Sequence, residues 1–153
     1  MPEPEPEPET TPPPASDQRL FFLLQRAAHQ LRTVADRRCL AAAGVTTAQL
    51  GALFAVHDQP GITQRELAHA LGLRESGVTA LVARLAKADL VARRPHPREH
   101  RAVVLELTDG GAAALRAAQP EIERFNGELR ALLGDQGFAR TAAALHALAH
   151  WES

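Results

Sequence analysis

Leu20, Leu24, Ala27, Ala28, Leu31, Val34 and Ala35 recur every three or four positions, with Arg26, Gln30 and Arg37 between them. That period predicts a long amphipathic helix over about residues 17–42, ending near Gly44. TTAQ at 46–49 is a capping box: the Thr46 hydroxyl accepts from an early amide while Gln49 reaches back. Leu50, Leu53, Phe54 and Val56 line the helix it opens, which stops at the Pro60-Gly61 turn. TQRE at 63–66 repeats the device and opens a short helix to Leu71, broken by Gly72. A further helix runs from about Glu75 to Ala88.

After Leu90 the period changes. LVARR reads as a short strand, Pro95 and Pro97 force a loop, and AVVLELT alternates through Val103, Leu105 and Leu107. Two strands joined by a loop make a hairpin. Thr108 caps a long Ala-rich helix toward Leu133, kinked at Pro120. Gly134 ends it, and Asp135 opens a last helix carrying Phe138, Leu145 and Leu148.

The stretch QRELAHALGLRESGVTALV, residues 64–82, meets the physical requirements of a helix-turn-helix. Two steeply crossing helices approach closely at one point, where Ala68 supplies a small side chain. The sharp turn needs a residue that tolerates positive φ, and Gly72 supplies it. Leu67 and Leu71, then Leu73, Val78 and Leu81, form successive apolar sets. Arg74, Ser76, Gly77, Thr79, Ala80 and Arg84 are left on the outside as candidate DNA-reading positions, with Thr63 and Gln64 of the preceding helix as phosphate contacts. An ordinary helical hairpin has the same pattern; the strand, basic loop and strand that follow favour a winged-helix order.

Charge sharpens this picture. The formal net charge of the 153 residues is −1, but it is segregated. MPEPEPEPETTPPPASD holds five acids and no base. Its Pro-Glu alternation predicts a disordered, extended tail over residues 1–16, either a solubilising leader or an acidic arm competing with DNA. From Arg84 to Arg101 six bases face two acids. The wing candidates are Arg94, Arg98, His100 and Arg101, suited to a narrow, negative minor groove.

Other classes fare worse. One cysteine, Cys39, excludes a disulfide framework. No apolar run reaches a membrane span and no leader opens the chain, so a cytoplasmic protein with no membrane partner is expected. No phosphate-cradling loop, nucleophile elbow or histidine–carboxylate metal motif is present, so no enzyme, cofactor or metal is expected. His146 and His150 lie four apart without further ligands at matching spacing.

GITQRELAHALGLRESGVTALVARLAKADLVARRPHPREHRAVVLELTDGG resembles the winged-helix core of the MarR family of bacterial transcription regulators. That family usually reads Asp-Arg-Arg, a short strand, then Leu-Thr and a Gly. Here stand Glu99-His100-Arg101, AVVLE, Leu107-Thr108 and Gly111. The resemblance implies that Arg101 enters the minor groove, braced by Glu99, with His100 a pH-sensitive contact in place of the middle Arg. Asp89 stands where members often have Gly. The fold implied is mainly α with a small β-hairpin wing: a single domain over 17–153, with a winged helix-turn-helix core of about 46–107 and dimerisation helices of about 17–43 and 108–152.

The implied function is a homodimeric regulator of double-stranded DNA, a ligand-responsive repressor on a pseudo-palindromic promoter site. The apolar faces of the long terminal helices exceed what the small core can cover, which agrees with a dimer. The alternative is a protein-binding winged helix that turns its basic face to an acidic partner or to its own tail. For an unidentified small-molecule effector, His29, Arg32 and His57 are the expected pocket. Cys39 sits beside Arg37 and Arg38, which would lower its pKa if they faced it; an inert, partly buried thiol is the alternative.

Overall fold

A computed structural model describes residues 19–152, and the expected acidic tail lies outside them. Helix α1 spans Leu20–Ala43 and ends at Gly44, whose φ of 69° is left-handed. The chain divides into two compact units inside this helix, one reaching Val34 and one starting at Ala35. The first is a helical segment with Leu20, Phe21 and Phe22 exposed, the two phenyl rings meeting edge to face at 5.5 Å.

The second unit begins with the end of α1 and α2 (Thr47–Asp58). Both halves of the Thr46–Gln49 capping box form: the Gln49 amide donates to Thr46 at 3.2 Å and the Thr46 amide donates to Gln49 at 2.9 Å. A two-residue strand β1 (Ile62–Thr63) follows, then α3 (Gln64–Leu71), opened by the Thr63–Glu66 capping box. Helix α4 spans Glu75–Lys87. Asp89 takes the left-handed backbone, φ 56°, and leads into β2 (Val91–Pro95). Strand β3 (Val103–Leu107) completes a three-stranded antiparallel sheet in the order β1-β3-β2, with Val91 opposite Leu107 and Arg93 opposite Leu105.

The hairpin therefore has a third strand that periodicity missed. Two residues are too few to show alternation; Ile62 joins because it lies opposite Leu105, with the Gly61 amide donating to Leu105 O at 3.1 Å. Leu53, Ile62, Leu67, Val78, Leu85 and Leu105 are fully buried in one core. Removing each such side chain from water contributes roughly 1.5–3 kcal/mol. Leu73, expected in the apolar set, is instead 48% exposed, because it sits in the turn where its amide donates back to Ala68 O.

Helix α5 runs Asp109–Ala149. Thr108 caps it, accepting from the Gly111 amide at 3.0 Å. Its dihedrals leave the helical region at Gly134 (φ 71°, ψ 162°) and not at Pro120, where a kink was expected. The missing Pro N–H removes one hydrogen bond, whereas a residue at positive φ interrupts the helix outright.

Candidate nucleic-acid interface

The turn between α3 and α4 is set by two local devices. Gly72 caps α3 at φ 63°, ψ 31°, and the Leu73 amide donates to Ala68 O at 2.9 Å, so the chain reverses at once. Val78, Leu81, Val82 and Leu85 then anchor α4 on the core. Arg74, Ser76, Gly77, Thr79, Ala80 and Arg84 are all exposed, as expected. Arg74 is the N-cap of α4 and makes no side-chain cap bond, and Glu75 is the acid of the first turn. Thr79 donates its hydroxyl to Glu75 O at 2.9 Å and lies 3.4 Å from Gln64 Oε1. Gln64 and Thr79 thus share one outer surface across the two helices.

The β2–β3 turn lies on the same unit. Arg93, Arg94, His96, His100 and Arg101 line a shallow hollow of about 440 Å³. Arg94 pairs with Glu106 at 3.4 Å across the two strands. Among the described residues, no carboxylate lies within ion-pair distance of Arg93, Arg98 or Arg101. Glu99 does not brace Arg101 through its carboxylate; its amide donates to His96 Nδ1 at 3.0 Å and its carbonyl accepts from Ala102 at 3.3 Å. At the start of α3, Glu66 is held below the usual carboxylate range by the Thr63 amide and then by the Thr63 hydroxyl.

A second polar cluster was invisible in the sequence. Arg38 makes a bidentate pair with Glu128, both contacts 2.8 Å, and reaches Glu121 at 3.4 Å; Arg124 also bonds Glu121. Glu121 is buried, and the Arg124 hydrogen bond leads in holding its carboxyl below the usual range. Separations of 83 and 90 residues leave no periodic signal for such contacts. Beside them a cavity of about 180 Å³ is lined by Arg38, Cys39, Leu50, Glu121, Ile122 and Phe125.

Cys39 follows the reading of an inert, buried thiol. Arg38 turns to the glutamates, and the buried thiol is pushed up, first by burial and then by Asp36 and Glu121. Alkylation by a thiol reagent at neutral pH is therefore expected to be slow in the native protein and fast in denaturant; equal rates would place the thiol in solvent. His29 and Arg32 are exposed on the first unit. His57 is on the second, lining an open groove of about 280 Å³ with Phe54, Leu115, Arg116 and Gln119. The His146 and His150 rings lie 4.4 Å apart, tilted by 45°, and among the described residues no cluster of three metal-binding side chains occurs.

Two helices joined at a glycine turn, followed by a strand pair whose turn carries exposed arginines, define a winged helix-turn-helix of the DNA-binding class. The MarR family profile matches residues 43–102. The transcriptional activatory protein BadR of Rhodopseudomonas palustris is 32% identical over 134 residues, 85% of this chain and 74% of that protein. The repressor NicR of Pseudomonas putida is 33% identical over 97 residues, 63% of this chain and 61% of NicR. The transcriptional repressor CouR bound to a 23-mer DNA duplex superposes with a TM-score of 0.80 at 28% identity, covering 88% of this chain and 95% of that one. CouR bound to p-coumaroyl-CoA superposes with a TM-score of 0.79 at 28% identity, covering 89% and 95%. The chain belongs to the MarR family of DNA-binding transcription regulators.

Proposed function

We propose that this regulator works as a homodimer on a pseudo-palindromic site in double-stranded DNA, in the cytoplasm. The N-terminal turns of α4 enter the major groove, where Ser76 and Thr79 read base edges and Thr63 and Gln64 meet phosphate. The β2–β3 turn lays Arg98, His100 and Arg101 along the neighbouring minor groove, and Arg74, Arg84 and Arg94 add charge on either side. The observation that carries this reading is that one unit presents both an α4 N-cap without a side-chain cap bond and, among the described residues, Arg98 and Arg101 of the wing without a carboxylate at ion-pair distance.

Dimerisation is supported by apolar side chains left in water. Leu20, Phe21 and Phe22 are 58%, 64% and 55% exposed on the first unit, and Leu132, Leu145, Leu148 and Trp151 are exposed at the end of α5. A two-fold dimer would place two α4 helices about one helical turn of DNA apart, roughly 34 Å. Repression is favoured by CouR and NicR, both named repressors, although BadR is named an activator. CouR in complex with p-coumaroyl-CoA supports an organic effector here as well. The groove at His57 and the cavity beside Cys39 are where it would bind.

The test is binding to the DNA upstream of its own gene, followed by fluorescence anisotropy, with the assembly measured by sedimentation. A protected inverted repeat and a two-chain mass are expected. No duplex binding even at low salt would favour a protein partner instead. Thr79→Ala is expected to shift base preference at one position per half-site by about 1–3 kcal/mol while leaving affinity for random duplex nearly unchanged. Site selection from a randomised pool reads this. A uniform loss on every sequence would place Thr79 on phosphate.

A further inference from the structure

Among the wing residues His96 stands apart. It is half-buried, while its neighbours Pro97, Arg98, Glu99, His100 and Arg101 are exposed. Its ring turns one nitrogen back onto the turn itself. Nδ1 takes two backbone amides, Arg98 and Glu99, each at 3.0 Å. Its own amide donates to Ala102 O at 2.9 Å, one step beyond the Pro95–Val103 pair. Pro97 has no N–H, so Arg98 and Glu99 carry the first amides available after His96. The imidazole therefore does here what an Asn or Asp side chain does at the start of a turn. Backbone amides can only donate, so Nδ1 must be unprotonated and the ring proton must sit on Nε2.

The geometry points to His96 as the positioning residue of the wing: by accepting from Arg98 and Glu99 it holds the turn in the shape that presents Arg98 and Arg101 to DNA. This rests on the reading that the wing contacts duplex. A proton on Nδ1 removes the acceptor and sets a positive group against two amides, so the turn loses its brace in acid. The charged and titratable groups around the ring are Arg93, Arg94, Glu99, His100 and Arg101, which line the same hollow, and Glu66 at the start of α3; Arg98 meets it through its backbone amide, and Glu106 of β3 is engaged by Arg94. His100 is a second histidine in the same turn, so single substitutions at position 96 are needed to separate the two.

The experiment uses the full chain and an A·T-centred duplex of about 30 base pairs, roughly three helical turns. His96→Ala is expected to weaken binding about three- to tenfold, the scale of one or two lost hydrogen bonds. His96→Asn, whose Oδ1 can accept the same amides, is expected to restore it. In the free protein, the Arg98 and Glu99 amide-proton resonances are expected to move together when acid protonates the His96 ring. They should stay in place in the Asn variant. Arg101→Ala is run alongside. If it weakens binding but His96→Ala does not, or if Asn binds as poorly as Ala, the assignment of His96 is overturned. Amide signals that ignore pH in the wild type overturn it too. If Arg101→Ala has no effect, the wing does not touch duplex and both readings fall.

Discussion

Gly111→Ala is expected to be among the most damaging single-methyl changes in the chain. A Cβ built at Gly111 would lie 2.1 Å from Leu90 O and 3.0 Å from Leu107 Cδ2. The backbone oxygen cannot yield, because it belongs to the junction where β2 begins and α5 begins. The Thr108 amide donates to Leu90 O at 3.2 Å, and the Thr108 hydroxyl donates to Asp89 O at 2.5 Å. The methyl must push the start of α5 off the sheet, at a cost of about 3 kcal/mol or more. For a chain of this size that lowers Tm by roughly 10 °C. Gly127→Ala is the control, since a Cβ there meets nothing within 4 Å. Inside a helix it should stabilise by about 1 kcal/mol. Thermal unfolding of both variants reads the contrast. A Gly111→Ala protein as stable as wild type would mean that α5 does not start against the sheet.

Arg101→Ala should leave stability unchanged and DNA affinity badly reduced. The side chain is exposed and makes no ion pair among the described residues, so the fold loses nothing with it. A free guanidinium beside a duplex neutralises phosphate and fills a narrow groove. The expected loss is about tenfold or more near 0.1 M salt, uniform across sequences or biased against A·T-rich sites. The plot of log affinity against log salt should flatten by about one unit for each phosphate-like contact removed. Arg94→Ala should cost less, because Arg94 is already shared with Glu106 at 3.4 Å. Equal losses for the two would mean that the cross-strand pair opens on DNA. An unchanged slope for Arg101→Ala would take the wing out of the mechanism.

How much of this was legible in the residues alone varies with distance along the chain. Thr46–Gln49 and Thr63–Glu66 act over three positions, and both boxes form with the partners expected. Gly72 and Asp89 take left-handed dihedrals for reasons internal to one residue. The exposed face of α4 follows from a 3.6-residue period. The wing was legible as charge and proline, but its shape was not. The family resemblance implied Glu99 as the brace for Arg101, yet the ring that organises the turn is His96, which a charge count passes over.

The chain order of capped helix, glycine turn, helix, strand, basic loop and strand was already determined by local hydrogen bonding and apolar period, and with it the winged helix-turn-helix class. Only the tertiary structure decided the rest. It recruited Ile62 as a third strand because Leu105 offered it an edge. It drew Arg38 across to Glu121 and Glu128, and so left the Cys39 thiol beside carboxylates and out of water. It pressed Gly111 onto Leu90. Local pattern encodes what neighbours three or four residues apart can do for each other; a contact between distant residues exists only once the core has brought their elements together.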